Sequence, residues 1–161
     1  MTMLSAHGCM FVPATSDDGP FLKRLFLETQ RQAHGQLPLP PQAIDDMLAQ
    51  MFMAQTDSFQ HSFPEATNIV LKTSSGPIGR LLADFTEEPV HVVDLAVLPP
   101  FQNKGFGTRV LRAVQDHAAK SGMSLRLLTL EAQPAQRLYA RLGFEVVTTQ
   151  PPHVTMVWSP A

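Results

Sequence analysis

Three features of the 161-residue sequence predict an α/β (α+β) domain built as one mixed sheet with helices packed on it. Fourteen prolines cut the chain into short segments, because proline avoids the interiors of helices and of central strands. The segments between them switch between strand-like and helix-like apolar periods in the order β-α-α-β-β-β-α-β-α-β-β. Apolar residues make up 44% and charged residues 16% of the chain, enough apolar material for one core over residues 1–161 and too much for disorder.

The elements follow in order. The apolar run Cys9–Pro13 predicts the first strand. Phe21, Leu25 and Phe26 recur at helical spacing between Asp17 and Gln32, with Asp17 or Asp18 as cap. The extended stretch Leu37–Pro41 leads to a second helix over Gln42–Gln55, carrying Ile44, Met47, Leu48, Met51 and Phe52. Asn68–Lys72 and Ile78–Phe85 read as strands joined through Ser74-Ser75-Gly76-Pro77. Glu87-Glu88-Pro89 turns the chain into the run Val90–Leu98. A helix capped by Thr108 runs to about Ser121, with Val110, Leu111, Val114 and Ala118 on one face and Gly122 past its end. Leu125–Leu130 is a buried strand, Ala135–Leu142 a helix ended by Gly143, and Phe144–Thr149 pairs with His153–Trp158 across Pro151-Pro152.

Composition excludes several functions. Twelve basic against fourteen acidic residues argue against a nucleic-acid binder. One cysteine, Cys9, closes no intramolecular disulfide. No metal is expected, since His7, His34, His61, His117 and His153 lack ligand spacing. With no membrane span and no signal peptide in the sequence, the expectation is a cytoplasmic protein with no membrane partner. Charge is uneven: residues 1–100 hold five basic and eleven acidic residues, and residues 101–161 hold seven and three. The second part suits a polyanionic small molecule, the first a cationic one.

The chemistry concentrates in Val97-Leu98-Pro99-Pro100-Phe101-Gln102-Asn103-Lys104-Gly105-Phe106-Gly107-Thr108. A strand enters a loop with two glycines and leaves directly into an amphipathic helix. The unpaired first N–H groups of that helix and its dipole make an anion site suited to a pyrophosphate, to which Lys104 adds a charge. A dinucleotide fingerprint fails because Val110 stands where its third glycine belongs, and one residue between Gly105 and Gly107 is too few for a nucleotide P-loop. The template Gln/Arg-x-x-Gly-x-Gly/Ala fits Gln102–Gly107.

A second block, Leu138-Tyr139-Ala140-Arg141-Leu142-Gly143-Phe144, lies downstream. With Leu95-Ala96-Val97, Pro99 and the glycine loop, it occurs in the order and spacing of the GNAT superfamily of acyl-CoA-dependent N-acyltransferases, which residues 90–146 resemble. The resemblance implies a GNAT-like fold in which two strands splay apart around acetyl-CoA as cosubstrate. Backbone groups of Leu95, Ala96 and Val97 would hold the pantetheine and the thioester carbonyl. The amides of Gln102, Asn103, Lys104, Gly105, Phe106, Gly107 and Thr108 would take the pyrophosphate. Tyr139, the only tyrosine, matches the residue that protonates the departing thiolate; its alternative is a core aromatic. Where the family often has asparagine, this chain has Ala132, and Gln133 beside it is the candidate substitute.

An attacking amine must lose a proton, and histidine ordinarily titrates nearest neutral pH. His91 lies eleven residues before Gln102, where histone-type relatives carry glutamate and serotonin N-acetyltransferase a histidine. Strand alternation places His91, Val93, Leu95 and Val97 on one face and Val92, Asp94 and Ala96 on the other, making Asp94 a rival base, with Asp84, Glu87 and Glu88 near the turn. Acceptor selection is expected from residues 27–59, where Met47, Met51, Phe52 and Met53 either line a pocket or simply pack. The implied activity is acetyl transfer from acetyl-CoA to a primary amine of a small molecule or peptide by direct attack. Homodimers are common in the family. The competing reading is an acyl-CoA-binding or regulatory module without catalysis.

Overall fold

A computed structural model describes residues 5–6, 8–131 and 133–161; His7 and Ala132 lie outside them. Along the chain run β1 (Ser5–Ala6), β2 (Cys9–Pro13), α1 (Gly19–His34), α2 (Pro41–Ser62), β3 (Thr67–Thr73), β4 (Gly76–Asp84), β5 (Val90–Val97), α3 (Phe106–Lys120), β6 (Leu125–Leu130), α4 (Pro134–Arg141), β7 (Glu145–Gln150) and β8 (His153–Trp158). The predicted order stands, with the two-residue β1 added. The strands form one mixed sheet in the order β1-β2-β3-β4-β5-β6-β8-β7. Every neighbouring pair is antiparallel except β5 and β6, which are parallel. None of the described helices is long and apolar enough to cross a membrane.

Two helix boundaries differ from expectation for local reasons. Helix α2 opens on Pro41, whose missing N–H costs nothing at the first helical position. It continues seven residues past Gln55 because Phe52, Phe59 and Phe63 prolong its apolar stripe through the polar stretch Thr56-Asp57-Ser58. Helix α3 starts at Phe106 instead of being capped by Thr108: Gly105 takes the N-cap in a left-handed conformation (φ 86°), and Arg109 N–H makes the first helical bond to the Gly105 carbonyl at 3.1 Å. Asp18 spends its carboxylate on the Thr15 N–H at 2.9 Å, closing a short 3-10 turn before α1.

Register divides the sheet into two faces. Ile69, Leu71, Leu81, Ala83, Val90 and Val92 belong to the main core, where α3 and α4 pack through Val110, Leu111, Val114, Leu138 and Tyr139. The opposite face carries Val70, Leu82, Arg80, Asn68 and Asp94 under α1 and α2, whose contact includes Phe26 and Phe52 with ring centres 5.4 Å apart.

Strict alternation fails at one place. Leu82 pairs with Asp94 and Ala83 with Val92, so Val93 has no opposite residue on β4. This bulge reverses the parity of everything after it. Leu95 and Val97 return to the main core, while His91, Asp94 and Ala96 share the α1/α2 face. The expectation that Asp94 lies on the face opposite His91 is therefore corrected. The β5–β6 ladder ends at the same point: it consists of Val90–Leu125, His91–Arg126 and Val92–Leu127. Beyond Val92 the two strands diverge.

The close approach of β4 to β5 at this splay depends on Gly79. A Cβ there would stand 2.5 Å from the Ala96 carbonyl oxygen and 3.3 Å from Val97 Cα, backbone atoms that cannot turn aside. Gly79→Ala is expected to destabilise the domain by about 1–3 kcal/mol through overpacking, read as a lower urea midpoint with an unchanged slope.

Candidate active site

Two cavities meet at the end of β5. The larger, about 620 Å³, lies on the α3/α4 side between the loop after β5, the start of α3, and α4. Its walls include Leu95, Val97, Gln102, Asn103, Gly105 and Tyr139. The smaller, about 260 Å³, lies on the α1/α2 side and is lined by Phe26, Thr29, Arg80, Asp94 and Ala96. Leu95, Val97 and Gln102 line both. The splayed strand is thus the partition between them.

The loop presents unpaired backbone donors to this cavity. Phe106, Gly107 and Thr108 are the first three residues of α3, and their N–H groups precede the first helical hydrogen bond. A helix start of this kind is a natural phosphate cradle. Asn103 (φ 60°) and Gly105 (φ 86°) turn the backbone into it. The size is within the usual range of ligand pockets, about 300–1,000 Å³.

Gln102 holds the loop to its surroundings. Its side-chain N–H donates to the Val97 carbonyl at 2.9 Å, and its oxygen accepts from the Gln32 amide of α1 at 3.1 Å. Lys104 is exposed, its ammonium 5.9 Å from the Phe101 ring centre. Gln133 is exposed at the N-cap of α4 and is not among the cavity walls. Ala132, beside it, is outside the described residues.

Tyr139 lines the larger cavity, its ring 5.9 Å from that of Phe144. Burial foremost, and then the negative charge of Asp94, push its phenol above the ordinary tyrosine value. It therefore stays protonated through the neutral range and can donate a proton. It packs against the main core and lines the cavity at once.

His91 is elsewhere. Its ring lies 5.4 Å from that of Phe63, in a cavity of about 350 Å³ with Val93, Arg126 and Leu128. That cavity touches the closed end of the splay but shares no wall with the one containing Tyr139. Asp94 stands closer to the junction, paired with the Arg80 guanidinium at 2.5 Å. Two of the acidic residues at the turn, Asp84 and Glu88, are occupied. The hydroxyl of Thr86 foremost, with its N–H and His91, holds the Asp84 carboxyl below the usual value against the opposing effect of burial, and Glu88 binds the N–H and hydroxyl of Ser124. Among the described residues no three His, Cys, Asp or Glu side chains group as metal ligands. Arg80, Asn68 and the end of α2 were not singled out in the sequence; Arg80 meets Asp94 because Arg80–Leu82 run opposite Asp94–Ala96 in one register.

Comparison with known proteins follows the same lines. Residues 64–146 match the model of the Acetyltransferase (GNAT) domain. A search of curated proteins gives no match. Among solved structures, the PaiA N-acetyltransferase of Thermoplasma acidophilum in complex with coenzyme A is similar with a TM-score of 0.71 at 15% identity, over 94% of this chain and 99% of that one. An acetyltransferase of Thermus thermophilus gives 0.65 at 22% identity, over 99% and 100%. The ribosomal-protein-S18-alanine N-acetyltransferase of Escherichia coli gives 0.65 at 17%, over 95% and 96%.

The single tyrosine makes its environment directly measurable. Ultraviolet titration is expected to show tyrosinate only above about pH 10, and Asp94→Asn to move that titration down. Linkage has a definite sign: above about pH 10 the unfolded chain releases a proton that the native state keeps, so stability falls as pH rises from there through the raised native value. Tyr139→Phe should remove this part of the alkaline loss, read as urea midpoints at pH values on either side of that range.

Proposed function

From the premise that the chain belongs to the GNAT acetyltransferase family, we propose that it moves an acetyl group from acetyl-CoA to a primary amine by direct attack. The observation that carries this reading is the partition: a cavity at the start of α3 and a second cavity on opposite faces of the sheet, sharing only Leu95, Val97 and Gln102. Two substrates that must react with each other need such a common wall.

The residues fit coenzyme A on physical grounds. The Phe106–Thr108 amides and the turns at Asn103 and Gly105 suit a pyrophosphate. Past Val92 one edge of β5 no longer pairs with β6, and its backbone groups are available to the amides of a pantetheine arm. When bound, acetyl-CoA supplies an activated thioester. Backbone N–H groups of Leu95 and Val97, on the edge of β5 that faces away from β4, orient its carbonyl and stabilise charge developing on the oxygen. Tyr139, kept protonated by burial and Asp94, gives its proton toward the departing sulfur. The amine arrives from the α1/α2 face.

His91 is the proton acceptor in this reading, working through a solvent path from its cavity at the closed end of the splay. A second reading assigns the amine to Asp94, favoured by its place in the wall of the 260 Å³ cavity beside Leu95. Both groups lie on the acceptor face, so one experiment separates them. His91→Ala is expected to lower kcat about 10²-fold and flatten the acid limb of the pH–rate profile. If Asp94→Asn does so instead and His91→Ala does not, the roles belong to Asp94.

Acetyl-CoA and CoA should raise the unfolding temperature, by the equivalent of about 2.7 kcal/mol at 100 times the dissociation constant, where NAD and ATP do not. Tyr139→Phe should keep that shift and lose about 10–10³-fold in kcat. Binding without turnover across an amine panel, and no effect of Tyr139→Phe, would instead identify a non-catalytic acyl-CoA module.

A further inference from the structure

The cavity that holds His91, about 350 Å³, is walled mainly by Phe59, Phe63, Val92, Val93, Leu127 and Leu128. Val92 and Leu127 form the last rung of the β5–β6 ladder. Val93 and Leu128 are the first residues beyond it on either strand, so the cavity lies against the point where the strands part. Its apolar walls are incompletely covered: Phe59, Phe63 and Val93 are half-buried, and Leu128 is 62% exposed. Removing such surfaces from water is favourable, and they converge on one space.

The path of the cosubstrate leads to the same place. The amides that suit a pyrophosphate begin α3, past the C-terminal end of β5. From there the open edge of β5 runs back towards the ladder. A pantetheine arm laid along that edge brings its thioester to the N–H groups of Leu95 and Val97. Carbons of the acyl group beyond the carbonyl then continue towards Val93, two residues and about 7 Å further along the strand. An acetyl group has a single such carbon and stops short of the cavity. A longer acyl group points into it. The 260 Å³ cavity through which the amine arrives shares no wall with this one, so the two substrates do not compete for the space.

We propose that the cavity beside His91 is an acyl-chain subsite, through which the protein takes apolar acyl-CoA substrates longer than acetyl-CoA, up to about six carbons. The inference rests on the acyl-transfer reading. The transfer itself is unchanged. The amine nitrogen bonds to the carbonyl carbon, and the carbon–sulfur bond breaks with its electron pair on sulfur. The sulfur takes the Tyr139 proton, and the proton of the amine goes to the base on the α1/α2 face. A longer acyl chain displaces solvent from the cavity of His91, so its advantage falls on binding and KM and not on kcat.

The test has two arms. Calorimetry compares S-ethyl-CoA with S-hexyl-CoA, thioethers that cannot transfer their alkyl group. Kinetics compare acetyl-CoA, butanoyl-CoA and hexanoyl-CoA with one fixed amine. Each methylene fully buried is worth about fourfold in affinity. Against these partly open walls S-hexyl-CoA is expected to bind at least about tenfold tighter than S-ethyl-CoA, and KM to fall in order from acetyl-CoA to hexanoyl-CoA. Phe63→Asn, or Leu128→Asn if the first variant lacks a cooperative unfolding transition, should cut the hexyl preference by about threefold or more. Equal or weaker binding of S-hexyl-CoA overturns the proposal, as does a preference unchanged in a folded variant. A variant that slows only apolar amines, with the acyl-chain preference intact, assigns the cavity to the acceptor and also overturns it. If both thioethers bind with the expected ratio but no acyl group reaches any amine, the transfer reading fails and the subsite stands. If CoA itself does not bind, both fail.

Discussion

One surplus residue sets the geometry on which the rest depends. Val93 has no opposite on β4, and three consequences follow from that single mismatch. The side chains beyond it change faces, so Asp94 joins His91 over α1 and α2. The ladder to β6 stops at Val92, opening one edge of a strand that is otherwise central to the sheet. The backbone from Leu95 to Val97 becomes a partition exposed on both faces, with a cavity on either side. A bulge is usually a local kink; here it divides an interior strand into a paired half that holds the core and an unpaired half that is free for ligands.

The paired half is where the stability lies. Ile69, Leu71, Leu81, Val90 and Leu125 are almost completely buried and bind the strands to α3. The surface ion pairs contribute little: Arg24–Glu28 and Arg31–Asp45 are solvent-exposed, and such pairs have small net worth. Arg80–Asp94 differs because it is mostly covered. Removing either partner would leave a charge in the wall of the cavity on the α1/α2 side without its counterion, a more serious loss than an exposed pair.

Much of this was legible in the sequence because it depends on local chemistry. Prolines and glycines punctuated the elements, and Gly105 and Gly107, read together with the Leu138–Phe144 block, marked the loop that lines the larger cavity. Tyr139 was found from its block and lies in the cavity wall with Leu95 and Val97. What escaped has a common cause. A period count assumes that strands alternate without interruption, so Asp94 was assigned to the wrong face and Arg80 was not considered. Helix propensity undervalued Thr56-Asp57-Ser58, so the last turns of α2, and with them the wall that Phe59 gives to the cavity of His91, were left out. Both errors concern tertiary override of local preference, and both fall on the α1/α2 side of the sheet. Gln133 was chosen by adjacency to Ala132, and adjacency along the chain did not bring it into the cavity wall.

The double bond pattern at Gln102 has a bearing on substitution. The loop template accepts glutamine or arginine at this position, as though the two were equivalent. In this chain they are not. The Gln102 amide donates to Val97 and accepts from Gln32, and a guanidinium has no acceptor at all. An arginine could keep the tie to β5, but the tie to α1 would survive only with the Gln32 amide turned over, its oxygen now accepting. A loop residue is thus coupled to a helix seventy positions earlier, and an exchange between the two allowed residues reverses the direction of the bond that joins them.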